Sequence, residues 1–189
     1  MEPGDLPLPA DRHVFRYCPQ CRTEMGRRLD GGSERPACPA CGLVQYLNPA
    51  PAAGIVLLRE GRVCLVKRRF EPKRGQWSLP SGFMEWDEAP ATTARRETLE
   101  ETGLEVELTG LYAVEQGLLP PDTPVVVVFY VARETGGSLE AGDDAEEAGF
   151  YALDELPGPL AFAAHRRVLA RLGEDLRAHG RPLVARERP

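Results

Sequence analysis

Apolar positions along this chain fall into two regimes. Before residue 50 they are sparse. From residue 52 they gather into runs of strand length: "AAGIVLLR" (52–59), "RVCLVKR" (62–68), "EVELTGLYAVE" (105–115), "TPVVVVFYVARE" (123–134) and "FYAL" (150–153). Glu60-Gly61 between the first two is a hairpin signal, and "GQWSLPSG" (75–82) reads as a short strand running into a loop. The run 123–134 is apolar on both of its faces, which predicts a central place in the sheet. "GGSLEAGDDAEEAG" (136–149) reads as a polar loop. Two segments carry helical signals instead. One spans about 88–102, with Asp87 as N-cap and Gly103 as the residue after the last turn. The other spans about 162–178, where His165, Val168, Leu169, Leu172 and Leu176 form one buried stripe. Strands interleaved with two long helices predict an α/β (α+β) main domain.

The sparse regime has its own logic. Residues 15–48 are rich in Cys and Gly and hold too little apolar surface for a core, so they need a staple. Cys18 and Cys21 form one C-x2-C pair, Cys38 and Cys41 a second. That spacing suits a tetrahedral four-thiolate Zn2+ site with every position filled by protein, hence a structural one. The fifth cysteine, Cys64, sits among strand residues and reads as a small buried hydrophobe. "NPAPAAG" (48–54) is a joint, since two prolines exclude helix there. The expected order is a disordered tail (1–14), a small zinc ribbon (15–48), the main domain (50–180) and a second disordered tail (181–189).

Composition narrows the function classes. The chain has 189 residues, 42% hydrophobic and 28% charged, which is ordinary for a globular protein. Its formal charge is −6, and four thiolates with one Zn2+ bring it to about −8, so the surface as a whole does not attract nucleic acid or anionic membrane. The ribbon carries Arg22, Arg27, Arg28 and Arg35 but no run of aromatics for stacking bases. The longest apolar run, 125–132, is far short of the ~20 residues a spanning helix needs. The first residues, "MEPGDLPLPADRHV", lack the apolar segment of a signal peptide, which leads to the expectation of a cytoplasmic location.

The helix at 88–102 poses the chemical question. Glu97, Glu100 and Glu101 stand at i, i+3 and i+4, so three carboxylates share one face and repel. A divalent cation would neutralise them, and hard oxygen ligands favour Mg2+ or Mn2+. The residues around them are Gly82, Glu88, Arg96, Glu97, Glu100, Glu101 and Gly103, at the spacing G-x5-E-x7-R-E-x2-E-E-x-G. This resembles the Nudix box. Thr98 departs from it, standing where the box has an apolar residue. The resemblance extends over about 50–180, through "GQWSLPSGFME" and "FYALDELP".

The resemblance implies a Nudix α/β/α sandwich with a mixed sheet and the hydrolysis of a diphosphate linked to another group. It implies that Gly82 (through its carbonyl), Glu97, Glu100 and Glu101 hold Mg2+ or Mn2+, and that Arg96, paired with Glu88, positions the carboxylates. The base that activates water is Glu101 or an acid of the later loop, Asp144 or Glu147. Trp86 is the aromatic candidate for contacting a base, and Lys73 or Arg74 for meeting phosphate; Trp77 and His165 read as core. A zinc ribbon before such a domain is similar to two groups. NADH pyrophosphatases carry an SQPWPF-like stretch that this chain lacks. A shorter type, similar to bacterial and plant enzymes that split ADP-ribose or FAD with release of AMP, matches "LDELPGPLAFAAHRRVL" as well. The alternatives are an NADH pyrophosphatase with a divergent motif and a non-catalytic regulator that binds nucleic acid. A homodimer is implied by resemblance alone.

Overall fold

The computed structural model describes residues 14–185. Residues 1–13 and 186–189, which belong to the two expected tails, lie outside the described residues. The chain divides into two compact units. One comprises the residues up to Pro49 together with Asp122–Pro124, the other Ala50–Pro121 and the residues from Val125.

The first unit is built on two knuckles and a hairpin. Strands β1 (Gly26–Asp30) and β2 (Ser33–Ala37) pair antiparallel, with Asp30 opposite Ser33. Gly31 and Gly32 close the hairpin, both at positive φ, the backbone a tight two-residue turn requires. Each C-x2-C pair sits on the same turn. Arg22 N–H donates to the Cys18 carbonyl at 2.8 Å and Gly42 N–H to the Cys38 carbonyl at 3.0 Å. Arg22 (φ 63°) takes the left-handed position that glycine fills in the second knuckle.

The second unit is a seven-stranded mixed sheet with a helix on each face. Its elements are β3 (Ala50–Arg59), β4 (Arg62–Arg68), β5 (Trp77–Ser78), β6 (Ser81–Phe83), α1 (Pro90–Thr102), β7 (Leu104–Leu119), β8 (Thr123–Gly137), β9 (Ala145–Tyr151) and α2 (Ala163–His179). The path runs β5-β4-β3-β8-β7, with β6 on β3 and β9 on β4. The β3–β4 hairpin turns at Glu60 and Gly61, both at positive φ. β3 pairs in parallel with β8, which is interior as its apolar run implies.

Alternation along β3 explains its unbroken apolar sequence. Ala53, Ile55 and Leu57 pack with Ala94 of α1 and with Leu104, while Ala52 and Val56 pack with Val168, Leu169 and Leu172 of α2. Both faces are buried, so neither parity is polar. Gly54 lies against β6, where a Cβ would overlap Pro80 and Ser81, and this lets β6 reach the sheet. Cys64 and Trp77 are core residues. Among the described residues no helix is long and apolar enough to cross a membrane.

Three boundaries differ from expectation. The first helix starts at Pro90 with Ala89 as N-cap and no side-chain cap, so Asp87 does not serve there. A proline at the first helical position needs no N–H partner and presets φ. Gly103 does close the helix, left-handed, with its N–H on the Leu99 carbonyl. The loop expected over 136–149 ends early, because Ala145–Tyr151 pairs with β4 as a strand. Residues 181–185 are not a loose tail: Leu183 N–H donates to Asp175 Oδ2, and Val184 is buried where Gly110 leaves it room.

His165 is the titratable group most dependent on this core. Its Nδ1 accepts the Leu79 N–H at 3.1 Å, and burial, aided by Arg68 and Arg166, brings its pKa down to about 3. Between that value and the ordinary ~6.5, the unfolded chain binds a proton that the folded chain refuses. This stability is therefore complete above about pH 6.5 and is lost as pH falls toward 3. Denaturation of His165→Asn, which keeps an acceptor for Leu79 but does not titrate, should show a shallower acid loss, by roughly 2 kcal/mol between pH 7 and 4.5. Parallel curves for the two proteins would refute this.

Candidate active site

Helix α1 buries mostly polar side chains, Thr93, Thr98, Glu101 and Thr102, with Ala94 as the apolar residue among them. Thr98, the departure from the box, is fully buried and satisfies its hydroxyl on the Ala94 carbonyl at 2.6 Å. It thus packs where an apolar residue would, at the small cost of a back-bond within the helix. That seating fixes the rotation of α1, so that Glu97, Glu100 and Glu101 line one cavity of about 290 Å³.

Arg96 organises the carboxylates. Its Nε and Nη2 grip Glu88 at 2.7 and 2.8 Å. Its Nη1 donates to Glu97 Oε1 at 2.7 Å and Glu100 Oε2 at 2.9 Å, and Nη2 also reaches the Phe83 carbonyl at 3.0 Å. These contacts use all five donors of the guanidinium. Glu88 is fixed in turn by the Glu85 N–H and the Thr93 hydroxyl. Arg96 holds the Glu88 carboxyl well below the usual range, at about 2.

The other carboxylates are shifted the opposite way. Glu101 is 4% exposed and accepts the Ser81 N–H at 2.9 Å. Burial raises its pKa to about 8 despite that bond, with Glu97 and Asp144 adding to the rise and Arg68 opposing it. Glu97 is also raised by burial, against the pull of Arg96. On α1 three glutamates stand against two arginines, Arg95 and Arg96, so its carboxylates outnumber its cations. Oxygens of Glu97 and Glu100 already converge on a single cationic nitrogen, which fits an all-oxygen donor set for a hard divalent cation. Gly82 closes this corner: a Cβ on it would overlap the Glu97 carboxylate.

The loop between β8 and β9 completes the cavity with Asp143 and Asp144. It is sewn to the end of α1 by main-chain bonds, Glu140 N–H to Thr102 O at 2.9 Å and Gly142 N–H to Glu101 O at 3.3 Å. Another part of the lining is apolar, including Gly117, Leu119, Val125 and Val127.

Not every expected residue arrives here. Glu147 lies on β9 and takes Lys67 Nζ at 2.6 Å, outside the cavity lining. The strand that displaced the expected loop turns it to that partner. Trp86 is 97% exposed and, like Lys73 and Arg74, does not line the cavity. Phe83, Phe162 and Arg68 do. Nothing in the sequence singles out Phe83 or Arg68 from the other aromatics and cations around them. Phe162, read from the sequence as the first residue of the last helix and found as its N-cap, carries no further signal.

The four cysteines form a second candidate centre. Their Sγ atoms all lie within 4.8 Å of one another, with Cys18–Cys41 at 3.6 Å and Cys21–Cys38 at 3.4 Å. Zn–S bonds of ~2.3 Å in a tetrahedron place sulfurs about 3.8 Å apart, so the cluster is compatible with zinc. Among the described residues it is the one group of metal-ligating side chains so tightly converged.

Known proteins resemble this chain over most of its length. The family model of the NUDIX domain matches residues 48–172. An ADP-ribose pyrophosphatase of Methanocaldococcus jannaschii is 36% identical over 127 residues, 66% of this chain and 73% of that protein. The NAD-capped RNA hydrolase NudC of Chromobacterium violaceum is 33% identical over 159 residues, 82% of this chain; the chain spans 58% of that relative's length. Among solved structures, a NUDIX hydrolase from Nitrosomonas europaea shares 35% identity with a TM-score of 0.77, covering 90% of this chain and 96% of that one.

The close approach at Gly82 is testable by itself. Gly82→Ala should drive Glu97 off its position and weaken Mn2+ binding, measured by electron paramagnetic resonance, by about 10- to 100-fold, with the thermal midpoint little changed. Undiminished affinity would show that Glu97 is not a ligand.

Proposed function

Because this chain belongs to the Nudix family of hydrolases, we propose that it cleaves the diphosphate of a nucleoside diphosphate derivative, ADP-ribose foremost and FAD next, with release of AMP. The observation that carries this reading is the convergence of Gly82, Glu97, Glu100, Glu101, Asp143 and Asp144 on one cavity that also has an apolar lining. A diphosphate needs the first, a base or flavin the second.

Glu97, Glu100, Glu101 and the Gly82 carbonyl would hold Mg2+ or Mn2+. When bound, such an ion neutralises phosphate oxygens and acidifies water. Arg96 keeps Glu97 and Glu100 aimed at a common point and, with its fork saturated, stays in place as a positioning residue. Asp144 accepts the proton of the attacking water. It lines the cavity on a loop tied to α1, whereas Glu147 is engaged by Lys67. Phe83, half-exposed in the cavity lining, offers a ring to the base. The apolar lining limits water near the reacting phosphorus, which strengthens the electrostatic interactions there. The similarity to NudC favours a second reading, a dinucleotide of the NADH type, which the same assay covers.

A panel of ADP-ribose, FAD, NADH and nucleoside triphosphates, each with Mg2+ or Mn2+ and scored by AMP release, decides the substrate. ADP-ribose should give the highest kcat/KM, and turnover confined to triphosphates would overturn the assignment. On the best substrate, Asp144→Asn should lower kcat by about 10²- to 10⁴-fold with Mn2+ affinity retained. Glu101→Gln should lose both, and full activity in Glu101→Gln would refute the site.

The cysteine unit we assign to one structural Zn2+ per chain. Elemental analysis should find it, and Cys38→Ser should lose the metal and the protection of residues 14–49 from hydrogen exchange, while β3 to α2 stay protected. A metal-free wild type with an ordered first unit would contradict this.

A further inference from the structure

Arg68 is a cation in the cavity lining that the scheme above leaves unused. It is the last residue of β4. Lys67, the preceding residue, points to the other face and pairs with Glu147. The β4–β9 ladder shifts register at this step, Lys67 facing Glu147 but Arg68 facing Ala145, so one extra residue on β9 brings the Asp144 turn against Arg68 and Arg69. Arg69 N–H then donates to the Asp144 carbonyl at 2.8 Å.

The side chain of Arg68 is held from two directions. Its Nε donates to the Pro72 carbonyl at 2.8 Å, and its Cζ lies 5.1 Å from the centre of the Phe162 ring. Phe162 is itself packed on His165, with centroids 5.2 Å apart. Among the described residues no carboxylate lies within ion-pair distance of Arg68. The other cation of the lining, Arg96, has spent every donor on Glu88, Glu97, Glu100 and Phe83. A substrate anion entering among six acidic side chains therefore meets one guanidinium with donors to give.

We propose that Arg68 grips the substrate diphosphate directly, through the two Nη groups that its bond to Pro72 and its seat on Phe162 leave available in the cavity; this rests on the pyrophosphatase reading above. A planar fork, pre-oriented by an Nε bond and an aromatic seat, matches two phosphate oxygens and loses little entropy on engaging them. Phe162 is the support beneath that fork. Arg68 gives the site a share of diphosphate affinity that does not come from the metal ligands, and it selects for substrates with two adjacent phosphates.

Calorimetry with Mg2+ and a methylene-bridged ADP-ribose analogue, which binds but is not cleaved, tests this. Arg68→Ala should weaken analogue binding by about 10- to 100-fold, the loss expected for charge-assisted hydrogen bonds. Added guanidinium should restore binding to this variant and not improve the wild type, a response that a merely structural role would not give. Mn2+ affinity should stay within two-fold. Arg68→Lys, which keeps the stem and the charge, guards against misfolding and should weaken binding about 3- to 10-fold because the fork is lost. Analogue affinity within two-fold of wild type in either folded variant, or no rescue by guanidinium, overturns the proposal. A wild type that binds Mn2+ but neither this analogue nor the methylene-bridged analogues of FAD and NADH would sink the pyrophosphatase reading and this proposal with it. Normal wild-type binding with unaffected variants sinks this proposal alone.

Discussion

Like charges on one helical turn repel, and the architecture of the second unit is organised around holding them together. Glu97, Glu100 and Glu101 cannot relax apart because α1 is rigid and its buried face admits one rotation. Arg96 offsets part of the repulsion from within the same helix. It can do so because Glu88, at the turn before the helix, fixes the guanidinium from behind. The pair Glu88–Arg96 is thus the anchor, and the carboxylates hang from it. The direction of the pKa shifts agrees: the anchor carboxyl is pushed down, while the buried ones at the cavity are pushed up. What remains unbalanced is charge that a divalent cation would balance.

The sheet contributes distance control. β6 reaches the cavity because Gly54 lets it pass close to β3, and Gly82 lets the chain pass close to Glu97. The second places main chain beside the Glu97 carboxylate, and the first brings the strand that carries Ser81 up to the sheet. The Ser81 N–H on Glu101 is the product of that approach. Backbone dipoles so placed are fixed by the strand pairings Ala53↔Gly82 and Gly54↔Ser81, and cost no side-chain entropy to orient.

Much of this was legible in the sequence for identifiable reasons. Chemistry that depends on spacing within one element survives translation to three dimensions, as with the carboxylates of α1 and the paired cysteines. The interior place of β8 follows from its unbroken apolar run, and the stripe on α2 from its helical periodicity. What depends on pairing between distant segments was not legible. Whether Glu147 or Asp144 faces the cavity turns on a register shift against β4, and period-2 alternation reverses with each residue of slip. Arg68 and Arg74 are indistinguishable as letters in a basic stretch; only the strand end and its aromatic seat separate them. Asp87 looks like an N-cap, yet Pro90 and Glu88 define the helix start by other means.

The loop from Ser138 to Asp144 shows how the two kinds of positioning combine. Its carboxylates come from a segment with the composition of solvated coil. It is nonetheless tied at one end to the last turn of α1, through Glu140 and Gly142, and at the other to Arg69, the residue that follows β4. Glycine is required at two of these points: Gly103 and Gly142 approach the carbonyls of Ser138 and Glu100 too closely for any side chain. The free C=O groups at the end of a helix are ordinarily left to water or a cap. Here they are spent on locating Asp143 and Asp144 relative to Glu100 and Glu101. Acids from two distant parts of the chain are therefore referenced to the same helix end, and their mutual repulsion is resisted by main-chain bonds that remain in place when the carboxylates change protonation.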